Sequence, residues 1–414
     1  MSSSQTSNSV LYQKRWLSLI GVGEEGVQGL TEQAVALIKK ADIVFGGQRH
    51  LELLKSLLMK ETKPWSTPFD VMMKDVLAEK HRNVCILASG DPFFYGVGTT
   101  LCRLIDVHEM TVIPVPSSFS LAASRLGWAL QHIDTVSLHG RPVQFLRPLL
   151  FDRRKILALT SGEKGPSEIA EYLTKYGFGS SKMIILEALG GSRERIQEVQ
   201  ARHFNFDGLD TLNLVGLELK VDADAPVLSC GTGLDDDLFE HDGQITKRSI
   251  RTLTLSSLAP KKGELLWDIG AGTGSVSIEW MLCHPSMQAV AIEHNPKKVE
   301  RIKRNAFSLG VPNLEVVQGT APEVLAELPK PDAIFIGGGG TSPGVLDYAL
   351  NSLPVNGRLV VNAVTLEMEA LLLRLYKQYG GELYRFEISM PSSAGTMEIW
   401  KPAYPITQWK WTKI

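Results

Sequence analysis

From Trp16 onward the chain alternates short apolar runs with amphipathic stretches. Leu17 to Ile20 reads as a strand ending at a glycine turn, and Thr31 to Lys39 as a helix. Ile43 to Phe45, Val84 to Ala88 and Thr111 to Val115 read as strands, whereas Gly98 to Ile105 and Ser118 to Leu126 carry the helical period. Strands recur at Lys155 to Leu159, Lys182 to Glu187 and Leu212 to Leu217. Such alternation predicts an α/β sheet.

The stretch from Lys220 to Asp242 breaks the pattern with a proline, several Asp and two Gly. A second α/β series follows. Leu265 to Ile269, Ala289 to Glu293, Leu314 to Gln318, Ala333 to Ile336, Arg358 to Asn362 and Tyr384 to Met390 read as strands. Val276 to Leu282 and Lys297 to Leu309 read as helices. The expected organisation is a flexible tail over 1–15, one α/β domain over 16–219, a linker over 220–235 and a second α/β domain over 236–414.

A length of 414 residues suits two domains. The 44% apolar and 21% charged fractions are those of a globular protein, and a net charge of -2 gives no general affinity for nucleic acid. No run reaches the roughly 18 apolar residues of a membrane span, and Met1 to Asn8 is polar, so no signal peptide is expected. Cys85, Cys102, Cys230 and Cys283 form no C-x-x-C pair. A reduced, cytoplasmic protein without a metal site is the expectation.

The sharpest motif is Leu265-Leu-Trp-Asp-Ile-Gly-Ala-Gly-Thr-Gly-Ser. A strand ends in Asp268 and opens into Gly270, Ala271, Gly272, Thr273 and Gly274 before a helix. Glycines let backbone turn tightly and a ligand approach closely. The next strand ends in Glu293, placed to accept hydrogen bonds from ribose hydroxyls. This pattern alone permits a dinucleotide. The last two glycines, however, are one residue apart, and Asp268 would repel a pyrophosphate while suiting the ammonium of a methionine moiety. S-adenosylmethionine is therefore the expected ligand. In the first half Gly21-Val-Gly-Glu-Glu-Gly matches a dinucleotide fingerprint formally, but its glutamates oppose a pyrophosphate and helical period resumes only after Gly29. Ser89-Gly-Asp-Pro-Phe-Phe-Tyr-Gly, Pro114-Val-Pro-Ser-Ser-Phe-Ser and Ser137-Leu-His-Gly-Arg each follow a strand, at the edge where α/β proteins bind ligands.

With Asp268 to Gly274, Glu293 and Gln318-Gly-Thr-Ala-Pro-Glu, the second half resembles the Rossmann-like class I methyltransferases. Phe239-Glu-His-Asp-Gly-Gln-Ile-Thr-Lys-Arg-Ser-Ile-Arg makes it similar to the C15-methylating, decarboxylating branch of vitamin B12 biosynthesis. The resemblance implies cofactor contacts at Thr246, Gly270 to Gly274, Glu293, Thr320 and Ala321. The first-half motifs resemble the two-lobed tetrapyrrole methylase (class III) family. Leu138-His-Gly-Arg and Ile185-Leu-Glu-Ala-Leu-Gly-Gly resemble its C5-methylating precorrin branch. That resemblance places Gly90, Asp91, Phe94, Ser117 and Ser118 at the cofactor. Together they imply one S-adenosylmethionine per domain and a precorrin substrate. The implied reaction is methylation of precorrin-6B at C5 and C15 with loss of the C12 acetate carboxyl, giving precorrin-8X. A homo-oligomer, a tetramer through the second domain, is implied as well.

Methyl transfer to an electron-rich ring carbon needs alignment and exclusion of water more than a strong base. Lys247, Arg248 and Arg251 are candidates for the substrate's carboxylate arms, Arg248 and Arg251 sharing a helix face. His241 is the candidate proton donor for decarboxylation, and His139 and Arg141 are the first-domain candidates. The competing readings are an RNA or other small-molecule methyltransferase and a non-catalytic cofactor sensor.

Overall fold

The computed structural model describes residues 15–65 and 69–414, so the expected tail lies outside the described residues except for its last residue. The chain forms two compact units. Of the described residues, the first comprises 15–65, 69–141 and 151–225, the second 142–150 and 226–414.

The first unit holds two five-stranded sheets. In one, Glu61–Pro64, Ile43–Gly46, Val84–Ser89, Leu17–Val22 and Met110–Ile113 lie side by side in that order, all parallel. The central strands are apolar on both faces because both faces are covered: Leu17 and Leu19 enter one core, Ile20 and Val22 another. The other sheet is ordered Asp134–Ser137, Lys155–Leu159, Asn213–Glu218, Lys182–Glu187, Arg195–Gln200 and is mostly antiparallel.

The second unit is built on seven strands. Their order is Glu315–Gln318, Gln288–Glu293, Leu265–Ile269, Ala333–Ile336, Arg358–Ala363, Ile406–Thr412, Glu382–Phe386. The first five are parallel, and Ile406–Thr412 runs antiparallel to both neighbours. Strand order reverses beside Leu265–Ile269, which creates a crevice at the carboxyl ends of the strands. Both units are α/β, as expected, and the second is Rossmann-like.

Several elements differ from expectation. Residues 220–235 do not form a free linker. The first unit ends at Ala225, and Leu228 and Leu234 are buried in the second unit's core. The segment 142–150 also belongs to the second unit, where a Cβ on Gly310 would lie 2.5 Å from Pro148. The helix expected over 98–105 is only Gly98–Leu101. Past Glu382–Phe386 an exposed hairpin, Ser389–Ala394 with Met397–Pro402, replaces a single strand over 384–390. Among the described residues no helix is long and apolar enough to cross a membrane, and no cluster of His, Cys, Asp and Glu is arranged to hold a metal ion.

Candidate functional sites

In the second unit the strand Leu265–Ile269 runs directly into the glycine loop. Gly270, Gly272 and Gly274 all have positive φ (71°, 62° and 75°). A Cβ on Gly270 would sit 2.6 Å from the Gly338 carbonyl oxygen, so two loops past adjacent strands touch here without side chains. A Cβ on Gly274 would strike Ile302 at 2.8 Å, which makes Gly274 a packing glycine. Around this loop opens a cleft of about 1900 Å³. Thr246, Gly270, Ala271, Gly272, Thr273, Glu293, Thr320 and Ala321 line it. Glu293 is 4% exposed and accepts from the backbone N–H of Gly272 and of Asn295, both at 3.0 Å. Each of its oxygens retains acceptor capacity.

Asp268 does not line the cleft. It is buried beneath the loop, where Oδ2 accepts from the Ser277 N–H at 3.1 Å and Oδ1 has no partner. Burial pushes its carboxyl up to about 6, against the pull of the Ser277 bonds.

Two candidate residues fall elsewhere. Arg251 is fully buried and cannot hold substrate arms. Its Nε donates to Glu279 at 2.5 Å, and its terminal nitrogens donate to Asp236 at 3.0 Å, to the Thr246 carbonyl at 2.5 Å and to the Leu234 carbonyl. Helix Arg248–Leu258 therefore presents Arg251 inward and Arg248 to solvent, and the shared face expected for the two does not exist. His241 lies outside the cleft, its Nδ1 accepting from the Gly243 N–H at 3.0 Å. Lys247 and Arg248 do line the cleft and are exposed, beside Asp235 and Asp236.

The first unit has a separate cavity of about 250 Å³ at the carboxyl edge of its parallel sheet. Asp91, Phe94, Ser117 and Ser118 line it; Gly90 packs behind, where a Cβ would lie 3.0 Å from Ser117 Cα. Ser117 caps helix Ser118–Leu126, which directs that helix N-terminus to the cavity. The Gly21 to Gly26 loop is no dinucleotide turn. A Cβ on Gly21 would overlap the Gly90 carbonyl at 2.1 Å, and Glu24 is held by Arg49 and by Arg193. His139 is not at the cavity; its Nδ1 lies 3.2 Å from the Thr160 carbonyl oxygen.

Sequence reasoning missed two groups. One is the run Gly337-Gly-Gly-Gly after Ala333–Ile336, a strand-then-glycine signal like that of Gly270, and Gly337 to Gly339 line the cleft. The other is His50 at the first cavity, with Arg49 beside it, which follow the strand Ile43–Gly46 as the other loop motifs follow theirs.

Comparisons with known proteins match this division. Residues 17–204 fit the family described as Tetrapyrrole (Corrin/Porphyrin) Methylases, and residues 237–413 fit the Precorrin methyltransferase domain. A Sinorhizobium protein named Precorrin-6Y C(5,15)-methyltransferase [decarboxylating] is 52% identical over 96% of both chains. The chain belongs to this family. Shorter relatives each match less than half of it. The Salmonella typhimurium Cobalt-precorrin-7 C(5)-methyltransferase is 31% identical over 46% of this chain and 94% of its own. The Cobalt-precorrin-6B C(15)-methyltransferase (decarboxylating) of the same organism is 33% identical over 42% of this chain and 92% of its own. The two halves of this family member are thus both methyltransferase domains.

Proposed function

We propose that each unit binds one S-adenosylmethionine and methylates a different carbon of precorrin-6B: C5 at the first cavity, C15 at the second cleft. The second unit also releases the C12 acetate carboxyl as CO2, and the product is precorrin-8X. The observation that carries this reading is the pair of cavities, each at the carboxyl edge of a parallel sheet and each collecting the motif residues of its own half. The second, at about 1900 Å³, exceeds the roughly 300–1,000 Å³ that one small ligand needs, whereas the first, at about 250 Å³, is smaller than that range. The second has room for a donor and a tetrapyrrole together.

The residues fit the donor. The open side of Gly272, the spare acceptor capacity of Glu293 and the unpartnered Oδ1 of Asp268 offer close approach, a ribose partner and negative charge beneath a cationic ligand. When bound, the donor supplies a sulfonium methyl for in-line transfer to carbon. Thr246 and the loop past Gln318 close the cleft, and their task is alignment and exclusion of water. Lys247 and Arg248 meet the carboxylate arms, with Lys298 and Lys401 the further cations lining the cleft, and Arg251 is withdrawn. His241 is not retained as proton donor. The reduced ring serves as electron sink as the C–CO2 bond breaks, and the CH2 group left behind takes one proton from solvent to become methyl, so the protein's part is to hold the acetate arm in place.

Assembly as a homo-oligomer in the cytoplasm is part of this proposal. Its support is the hairpin Ser389–Ala394 and Met397–Pro402, which leaves Met390, Met397, Ile399 and Trp400 open to solvent. Incubation of the whole chain with methyl-labelled donor and precorrin-6B tests the function. Two labelled methyl groups and one CO2 per ring are expected. Labelling of RNA with no change in the ring would overturn it, and so would cofactor binding without turnover.

A further inference from the structure

The first cavity carries a polar pair that no expected cofactor contact uses. Ser89 ends the central strand Val84–Ser89, and His50 lies on helix Gln48–Leu53, which follows the neighbouring strand Ile43–Gly46. The two strands are paired in register, Phe45 opposite Ile86, so residues just past their ends meet. His50 Nε2 lies 3.0 Å from Ser89 Oγ, and both residues line the cavity. Ser89 is exposed, whereas His50 is 7% exposed.

Arg49 decides which nitrogen of the ring is bare. Its guanidinium stands 2.9 Å from His50 Nε2 and 2.9 Å from Ser89 Oγ. A guanidinium only donates, so Nε2 is the acceptor and the ring proton sits on Nδ1. Nδ1 is buried and has no hydrogen-bond partner. Burial, with the Arg49 charge adding to it, pushes the imidazole down to about 4, so it is neutral at ordinary pH and a weak base.

We infer that Ser89 and His50 form the proton-accepting relay of the first methylation, Ser89 Oγ taking the proton that the ring gives up and His50 Nε2 taking the proton of Ser89. This rests on the reading of the first cavity as a carbon-methylation site. The balance is simple. As the new C–CH3 bond forms, the S–CH3 bond breaks and its electron pair stays on sulfur. The ring, which has spent an electron pair on the methyl group, is left cationic. Loss of one C–H proton returns that bond pair to the ring. The proton reaches Ser89 Oγ as the hydroxyl proton passes to Nε2 across the 3.0 Å O···N separation, Arg49 releasing the Nε2 lone pair. A cationic ring makes its C–H strongly acidic, so a weak base is sufficient. Asp91 also lines the cavity, its Oδ1 accepting from the Phe93 N–H at 2.9 Å, and it is the competing proton acceptor.

The test uses the full chain with a 13C-methyl donor and precorrin-6B, reading the methyl group at C5 by NMR. His50→Ala is expected to slow that step at least ~100-fold, the usual scale of acid–base assistance, while binding S-adenosylmethionine with unchanged stoichiometry. Added imidazoles are expected to restore the rate, and more basic ones to restore it further. Ser89→Ala is expected to slow the same step. In the resting protein, 15N shifts of His50 are expected to show a neutral ring protonated at Nδ1. Restoration indifferent to basicity would mark a space-filling role and overturn the relay. So would an unchanged C5 rate in His50→Ala, or a ring protonated at Nε2. Wild-type protein that fails to methylate C5 would instead overturn the function proposed for the unit.

Discussion

The guanidinium of Arg251 donates to the backbone carbonyl of Thr246 at 2.5 Å. Arg251 is buried, whereas Thr246 lines the cleft, so an internal charge holds the backbone of a cleft-lining residue. The same guanidinium binds Glu279, which in turn accepts from the Gly233 and Leu234 N–H groups. Arg251 is a positioning residue. Arg251→Ala leaves Glu279 buried without its cation, which destabilises by about 3–5 kcal/mol. Thermal unfolding should show that loss, and binding of S-adenosylmethionine to the second unit should fall with it. Arg248→Glu should leave stability near wild type and raise the KM for the ring substrate.

Glu293 predicts a more selective defect. It bridges Gly272 and Asn295 and keeps acceptor capacity toward the cleft. Hydrogen bonds to a charged group contribute about 1.5–3 kcal/mol, so Glu293→Gln should weaken donor binding at the second site roughly tenfold to a hundredfold. Titration calorimetry should show one weakened site and one unchanged. Gly270→Ala should abolish the second site, because its φ of 71° and the Gly338 carbonyl at 2.6 Å leave no place for a Cβ.

Asp268 makes the second site depend on pH. Its folded-state value is raised from 3.8 to about 6. The folded protein therefore holds this proton more tightly than the unfolded chain. Its contribution to stability is full below pH ~4 and is lost as pH rises to about 6, a difference of about 3 kcal/mol at most. Asp268→Asn should lack this slope, so the stability difference between the two proteins should change across that window. A cationic ligand favours the ionised carboxylate, so donor affinity at the second site should rise with pH up to about 6 in wild type and stay flat in Asp268→Asn.

The exposed hairpin predicts an assembly defect. Ile399→Asp and Trp400→Asp alter side chains that are 53% and 72% exposed, so folding should be unaffected. Light scattering should show a smaller particle than wild type. Equal masses would remove the hairpin from the assembly.

The second candidate site was legible because its pattern is local: strand, glycines and an acidic residue on the next strand lie within 30 residues, and Gly270 to Thr273 with Glu293 line one cleft. The strand Ile406–Thr412 was not. Its core-facing Gln408 is fully buried but polar, bonded to Ser257 and Asn362, and such a network masks the alternation of a buried strand. Arg251 misled for a related reason. A charged residue in a motif reads as exposed, and only its partners Glu279 and Asp236, 28 and 15 residues away, show that it is internal. His50 escaped notice because its role depends on strands paired across more than 35 residues of chain, which no local pattern reports.

Calorimetric titration of the full protein with S-adenosylmethionine measures directly the two methyl-donor sites proposed for the chain. Two bound per chain are expected, falling to one in Gly270→Ala. A stoichiometry of one in the wild-type protein, or of two that survives Gly270→Ala, would contradict the proposal.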